Sequence, residues 1–345
     1  MEGKISASAT TATTTAKPLS TENVDLLLDS VDAFLLDCDG LTFHLTVYSS
    51  SELGQHALSF LRISFPCSLG VIWHNNVLLD GVAATLHFLR LMGKRLFFVT
   101  NNSNRSRRQN YERFESHGIS VSEEEIFSSS YAVAMYLAIN NFPSDKRIYV
   151  IGPGGILEDL KLVGYNGFEG PDDDMSTEKP ISGYSLEDHA NVGAVVLGFL
   201  YLTMTTSTLC MRNNPECLFI TTSDKAISSF LETQQLPDAN AVTTTLGSSH
   251  SIKMKPILVG KPSTIIMDII RQRCDISCSR MCMVGDTLPQ DIAFGKKTGC
   301  KTLLVLSGRT TLSALCDPSN DIQPDYYSDS VGDIFRLSKQ QLPSL

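Results

Sequence analysis

Phe34-Leu35-Leu36-Asp37-Cys38-Asp39-Gly40 is the stretch from which the rest of the chain is read. An apolar run stops in two carboxylates one residue apart and then a glycine, the pattern of a buried strand that delivers acidic groups to its carboxyl end. Open α/β sheets keep their chemistry at that edge. Residues i and i+2 of an extended segment point the same way, so Asp37 and Asp39 can face one site. Like charges so close are relieved by a bound cation, by a raised pKa on one carboxyl, or by both. A polar strand-to-loop turn gives the same residues, so the remainder of the chain has to decide.

Outward from that stretch, 345 residues leave room for two ordinary domains, or for one domain carrying a large insertion. With 28 basic against 37 acidic residues the net charge is −9 and no basic stripe exists, which argues against a nucleic acid partner. An anionic substrate would therefore need a local cation. The nine cysteines are odd in number and form no C-x-x-C pair, as expected of reduced, buried thiols. Cys274, Cys278 and Cys282 are regularly spaced, but no histidine or fourth cysteine stands at a ligand spacing, so a zinc site is not expected. The longest apolar run, Ala194 to Leu202, is far short of the roughly 20 residues that span a bilayer, so no membrane partner is expected. Residues 1–18 are rich in Ser, Thr and Ala and lack the apolar centre of a secretory signal; they read as a disordered tail or a transit-peptide remnant.

Along the chain, residues 19–31 read as a short helix capped by Ser20 or Thr21. Residues 41–70 show neither a period of 2 nor one of 3.6; with them deleted in thought, Asp39-Gly40 abuts Val71-Ile72-Trp73 and the pattern continues smoothly. They behave as an atypical insertion, and translated non-coding sequence or a splice variant is one reading of them. A helix over Val82–Met92 leads to a buried strand, Arg95 to Val99, which ends in Thr100-Asn101-Asn102-Ser103 ahead of a basic helix with Arg105, Arg107 and Arg108. Those small hydrogen-bonding residues suit phosphate oxygens or an N-cap, and the capped helix start is itself an anion site. A helix over Glu123–Leu137 follows, and Asn140-Asn141-Phe142-Pro143 marks a boundary. The second unit, 143–254, holds strands near 148–151, 192–199 and 218–222, an acidic loop over 171–187 and a Ser/Thr-rich close through 251. Gly152-Pro153-Gly154-Gly155 lacks the Lys-Ser/Thr of a nucleotide loop and reads as a tight turn. Buried strands return with Ile257-Leu258-Val259-Gly260 and Met281-Cys282-Met283-Val284, then edge strands near 301–306 and 324–327 and a helix over 331–337.

Four strand ends therefore present Asp37-Cys38-Asp39-Gly40, Thr100-Asn101-Asn102, Lys261-Pro262-Ser263 and Gly285-Asp286 with Asp291 five residues on. Alternating β and α units imply a parallel sheet, which puts the four ends on one rim. Asp37, the Asp39 carbonyl and Asp286 could give Mg²⁺ its oxygen ligands. Lys261 could neutralise a phosphate beside an attacking carboxylate, with Thr100 and Asn101 on the other phosphoryl oxygens. In this order the motifs point to phosphoryl transfer on a small phosphorylated metabolite.

The same motifs resemble the haloacid dehalogenase superfamily, in particular its phosphatases with a large C2-type α/β cap between the second and third motifs, and most of all the plant-type phosphoglycolate phosphatases. The resemblance spans about residues 20–337 and is strongest around Phe98 to Ser103, Tyr149 to Gly152, Val259 to Thr264, Cys282 to Asp286 and Gly299 to Gly308. It implies an α/β fold: a HAD-like Rossmannoid core in two parts, 19–142 and 255–337, with an inserted cap over 143–254 and a tail over 338–345. It also implies a Mg²⁺-dependent phosphomonoesterase that hydrolyses 2-phosphoglycolate. Asp37 would be the nucleophile that forms an aspartyl-phosphate, and Asp39 the acid and then the base. Thr100, Asn101, Asn102 and Lys261 would hold the phosphoryl group; Asp37, Asp39 and Asp286 would bind the metal, with Asp291 supporting them. The resemblance is compatible with a homodimer through cap surfaces, and with a place in the chloroplast stroma or the cytosol.

The chain departs from that family at three places. The 41–70 insertion sits where a short turn should gate the site. Leu200 stands where the family has Asp after Gly-Phe, with Tyr201 to Ser207 shortened. Thr222-Ser223-Asp224-Lys225 replaces Thr-Asn-Arg-Asp. Hence two alternatives: a related phosphatase for pyridoxal phosphate or aryl phosphates, and a variant impaired by the insertion.

Overall fold

The computed structural model describes residues 14–39, 70–74, 76–152, 154–165, 168–169, 191–198, 214–224 and 256–339. The first 13 residues, all of the expected 41–70 insertion but Gly70, the acidic loop, the cap departures at 200–207 and Lys225, and the Ser/Thr-rich close lie outside the described residues.

Strand β1 (Lys17–Pro18) precedes helix α1 (Val24–Ser30) and β2 (Ala33–Leu36). The hairpin β3 (Trp73–His74) and β4 (Val77–Leu78) leads to α2 (Val82–Leu91) and β5 (Arg95–Thr100). Next come α3 (Arg107–Ser116), β6 (Ile126–Ser128), α4 (Ser129–Ile139), β7 (Arg147–Ile151), α5 (Gly154–Leu162), β8 (Phe168–Glu169), β9 (Val192–Leu197), β10 (Leu218–Thr221) and β11 (Ile257–Leu258). The last stretch holds α6 (Ile265–Arg271), β12 (Met281–Gly285), a π-helical turn (Leu288–Ile292) running into α7 (Ala293–Thr298), β13 (Lys301–Val305), α8 (Leu312–Leu315), β14 (Tyr326–Ser328) and α9 (Asp333–Leu337). The chain forms two compact units, residues 1–96 with 277–345, and residues 97–276.

In the first unit the parallel strands run β1-β14-β13-β12-β2. Phe34, Leu35 and Leu36 of β2 and Met281 to Val284 of β12 are wholly buried, which is why both read as unbroken apolar runs. Their register pairs Val284 with Leu36, so the residues that follow each strand emerge side by side. Lys94 Nζ donates to Leu28 O (2.8 Å) and Val31 O (2.9 Å), placing a cation at the carboxyl end of α1. The helix expected over 19–31 is shorter, because Asn23 rather than Ser20 or Thr21 is its N-cap residue. Two further expectations are corrected. Residues 14–18 belong to the fold and not to a tail: Ala16 is buried, and Lys17 and Pro18 pair with Tyr326 and Tyr327. That pairing also makes β14 an inner strand instead of an edge.

The second unit holds the parallel pair of Phe98 to Thr100 with β6, and a five-stranded parallel sheet in the order β11-β10-β9-β7-β8. The apolar face of that sheet is built on Tyr149, Ile151, Val195, Leu197 and Phe219. The single helix expected over 123–137 is three elements. Ser122 and Glu125 cap each other around a 3₁₀ turn (Glu123–Glu125), and Ile126 and Phe127 pair with Phe98 and Val99. Ser128 Oγ then accepts the Tyr131 N–H (3.2 Å) and starts α4.

Candidate active site

Asp37 leaves β2 with its N–H donating to Val284 O (2.9 Å), which fixes it beside the end of β12 and hence beside Asp286. Asp37, Asp286 and Asp291 are all buried, and each offers a carboxylate oxygen within 4.8 Å of the others. Their roles inside the cluster differ. Asp291 Oδ2 accepts the Asp286 N–H (3.1 Å), the Thr287 N–H (3.0 Å) and the Thr287 hydroxyl (2.7 Å). It therefore pins the loop that carries Asp286. Asp286 Oδ2 accepts the Arg309 N–H (2.9 Å), and its carbonyl accepts from Thr310 N (3.1 Å). A Cβ on Gly308 would collide with the Asp286 side chain, and one on Gly285 with that of Asp291, so both loops approach the carboxylates as only glycine allows.

Asp39 is half-buried and is not a member of the carboxylate trio. Its backbone bridges to Trp73, while the Ile72 and Trp73 N–H groups both donate to Cys38 O (3.2 Å each). Ser307 Oγ donates to Gly70 O (3.0 Å). The hairpin that follows the long intervening segment is thus seated directly on the Asp37-Cys38-Asp39 turn.

The second set of expected residues lies in the other unit. Thr100 ends β5 and Asn101 follows it; both are buried, as is the whole Lys261 side chain. Asn101 Oδ1 accepts the Lys261 N–H (2.7 Å) and Asn101 Nδ2 donates to Lys261 O (2.8 Å), so its amide grips the lysine main chain from both sides. Lys261 Nζ donates to Val99 O (2.8 Å). Asn102, half-buried, donates its N–H to Thr100 Oγ1 (3.0 Å).

Two expectations about this set change. The four strand ends do not share one sheet: Asp37 and Asp286 follow β2 and β12, whereas Lys261 follows β11, which pairs with β10 in the five-stranded sheet. Lys261 is brought to Thr100-Asn101 by side-chain hydrogen bonds instead. The start of α3 is no free anion site either, because the buried Asp159 carboxylate of α5 already accepts the Arg107 N–H at 3.0 and 3.2 Å. Burial pushes the Asp159 carboxyl up to about 6, against the lowering effect of its hydrogen bonds to Ser130 and to the Arg107 amide. Asp159, Gly308 and Arg309 carried no chemical motif of their own, so the sequence did not single them out as site residues.

Comparison with known proteins now decides the family. Residues 68–166 match the haloacid dehalogenase-like hydrolases, and residues 258–334 match a second HAD-hydrolase-like family. Over 324 residues the chain is 44% identical to phosphoglycolate phosphatase 2 of Arabidopsis thaliana, covering 92% of this chain and 97% of that relative. The chain belongs to the haloacid dehalogenase-like hydrolases. A chloroplastic Arabidopsis relative, phosphoglycolate phosphatase 1A, is 43% identical over 316 residues, 90% of this chain and 78% of its own. Among solved structures, a 4-nitrophenylphosphatase of Thermotoga maritima superposes with a TM-score of 0.61 at 22% identity, covering 90% of this chain and 98% of that one. That likeness speaks for the haloacid dehalogenase fold alone. Among the described residues no helix is long and apolar enough to cross a membrane.

Proposed function

We propose that this chain is a Mg²⁺-dependent phosphomonoesterase that hydrolyses 2-phosphoglycolate to glycolate and phosphate. The observation that carries the reading is the buried Asp37-Asp286-Asp291 trio in a chain 44% identical, nearly end to end, to a phosphoglycolate phosphatase. Three buried carboxylates with only oxygen donors fit a hard divalent cation, and Asp37, Asp286 and the Asp39 carbonyl are the groups that would hold it. The ion, when bound, supplies positive charge that offsets the carboxylates and the phosphate ester.

In the first step an Asp37 oxygen attacks phosphorus, a P–O bond to Asp37 forms, and the bond to the glycolate oxygen breaks. Asp39 gives its proton to that leaving oxygen. In the second step Asp39 takes a proton from water, the water oxygen attacks phosphorus, and the bond to Asp37 breaks to release phosphate. Lys261 and Thr100 steady the phosphoryl oxygens. Asn101, with its amide engaged on Lys261, positions that lysine instead of touching phosphate. The five-stranded sheet β7 to β11 belongs to the cap that reads the carboxylate end of the substrate, so the cap boundary expected at 254 moves past Leu258. The chloroplast is the proposed place, as for the chloroplastic 1A relative, and imaging with the native N-terminus tests it.

The test is turnover of a panel of phosphate esters by the full chain with Mg²⁺, beside a variant lacking residues 41–69. The expected result is preference for 2-phosphoglycolate over pyridoxal phosphate and 4-nitrophenyl phosphate in both proteins, since the seat of Trp73 on Cys38 leaves the deletion able to close. Preference for an aryl ester would overturn the substrate; turnover confined to the deletion variant would show that the segment impairs the enzyme.

A further inference from the structure

Strand β1 stands at one end of the sheet of the first unit, and its sequence suits that place. Lys17 N–H donates to Asp325 O (3.1 Å) and Leu19 N–H to Tyr327 O (2.7 Å). Alternate residues of a parallel strand donate to the same neighbour, so Pro18, which has no N–H, falls at the position facing away from β14. Ahead of the strand, the Thr14 hydroxyl (2.5 Å) and the Thr15 N–H (3.3 Å) both donate to Gln323 Oε1, whose amide nitrogen donates to Asn320 O (3.2 Å). The segment is therefore tied at both ends. Lys17 and Pro18 are exposed, whereas Ala16 and Leu19 are buried.

The company Ala16 keeps gives this strand a second role. It shares an apolar cluster with Leu288, Ile292, Leu304 and Leu315. Leu288 and Ile292 are the first and last residues of the π-helical turn, and Asp291 lies between them. The turn thus gives two apolar side chains to the cluster and the Asp291 carboxylate to the Asp286 and Thr287 amides, at 3.1 and 3.0 Å. We propose that residues 14–19 are a positioning strap for the metal site: Ala16 supports the π-helical turn through the cluster that holds Leu288 and Ile292, and so keeps Asp291 on the loop that carries Asp286. Ala16 is a positioning residue that acts through Asp291. The inference rests on the acidic trio being a Mg²⁺ site.

A charge cannot stay in that cluster unpaired, so Ala16→Asp lifts the strap from the sheet edge. Leu288 and Ile292 are then left beside a gap, and the turn relaxes into it. Asp291 moves with the turn, and the Asp286 and Thr287 amides lose the acceptor that protected them.

Hydrogen exchange of the full, metal-free chain, read by mass spectrometry, follows this grip without turnover. The expected result is faster exchange over residues 285–291 in Ala16→Asp, with residues 33–36 unchanged, and a smaller effect of the same kind in Ala16→Gly, which keeps the strand folded. Lys17→Ala, at an exposed side chain, should match the parent. By titration calorimetry, Mg²⁺ affinity should fall about fivefold in Ala16→Asp, and Ala16→Asp should add nothing to Asp291→Ala, because both act through one carboxylate. Parent-like exchange over 285–291 in both Ala16 variants, or a full further loss of Mg²⁺ affinity in the double variant, would overturn the strap. A parent chain that binds no Mg²⁺ would overturn the metal reading of the trio instead, and exchange alone would then decide whether the strap holds Asp291.

Discussion

Asp286 and Lys261 are both held by a neighbour whose side chain is engaged on their main chain, but the two holders differ in charge. Asp291 grips the Asp286 amide with a carboxylate, inside a cluster that already contains two other carboxylates. Asn101 grips Lys261 with a neutral amide, donor and acceptor both in use. A charged holder adds to the mutual repulsion of the acidic trio, whereas a neutral holder leaves the lysine's positive charge uncancelled by the group that grips it. The acidic trio is thus held by a group of its own charge, whereas Lys261 is held by a neutral one.

That contrast is broken most forcefully at Asn101. Asn101→Ala strips partners from a buried N–H and a buried C=O, each worth about 1–3 kcal/mol, so a stability loss of roughly 2–6 kcal/mol is expected in denaturant unfolding. The Mg²⁺ concentration for half-maximal thermal protection should stay within about twofold of the parent once folding is restored by temperature. A large change in that concentration with little loss of stability would contradict the neutral-holder reading.

Asp159 sharpens the comparison, because it is a carboxyl holder that is not one of the trio, gripping the start of α3. Its carboxyl is raised from 3.8 to about 6, so the native state prefers it protonated. The stabilising contribution is full below about pH 4 and is lost as pH rises through about 6, a change of up to about 3 kcal/mol. Asp159→Asn keeps an acceptor for the Arg107 amide and removes the titration. Its stability relative to the parent should therefore grow from pH 4 to 7, and parallel stability curves for the two proteins would refute a raised Asp159.

The smallest effect is expected at Asp291. Asp291→Ala frees three donors and loosens the Asp286 loop, so Mg²⁺ binding read by titration calorimetry should weaken about 10–100-fold. Unchanged affinity would show that Arg309 and Thr310 suffice to place Asp286.

Strands β2 and β12 were legible because a parallel strand buried on both faces has no choice but to read apolar, and carboxylates at its end stand out. The sheet to which Ile257-Leu258 belongs was not, since two paired residues carry no trace of their neighbour's identity. Ile126 to Ser128 disappeared into a helical window because an apolar pair between capping serines satisfies either period. Glycines such as Gly308 are legible only as glycines; that one presses on Asp286 is a fact of packing, invisible in one dimension.

The central claim is that Asp37 becomes covalently phosphorylated during turnover. Mixing enzyme, Mg²⁺ and 2-phosphoglycolate, quenching in acid within milliseconds and mapping peptides should reveal phosphate on Asp37. None should appear in Asp37→Asn, whose turnover should fall by roughly 10⁴-fold. Phosphate on any other residue, or Asp37→Asn turning over near the parent rate, would contradict the account.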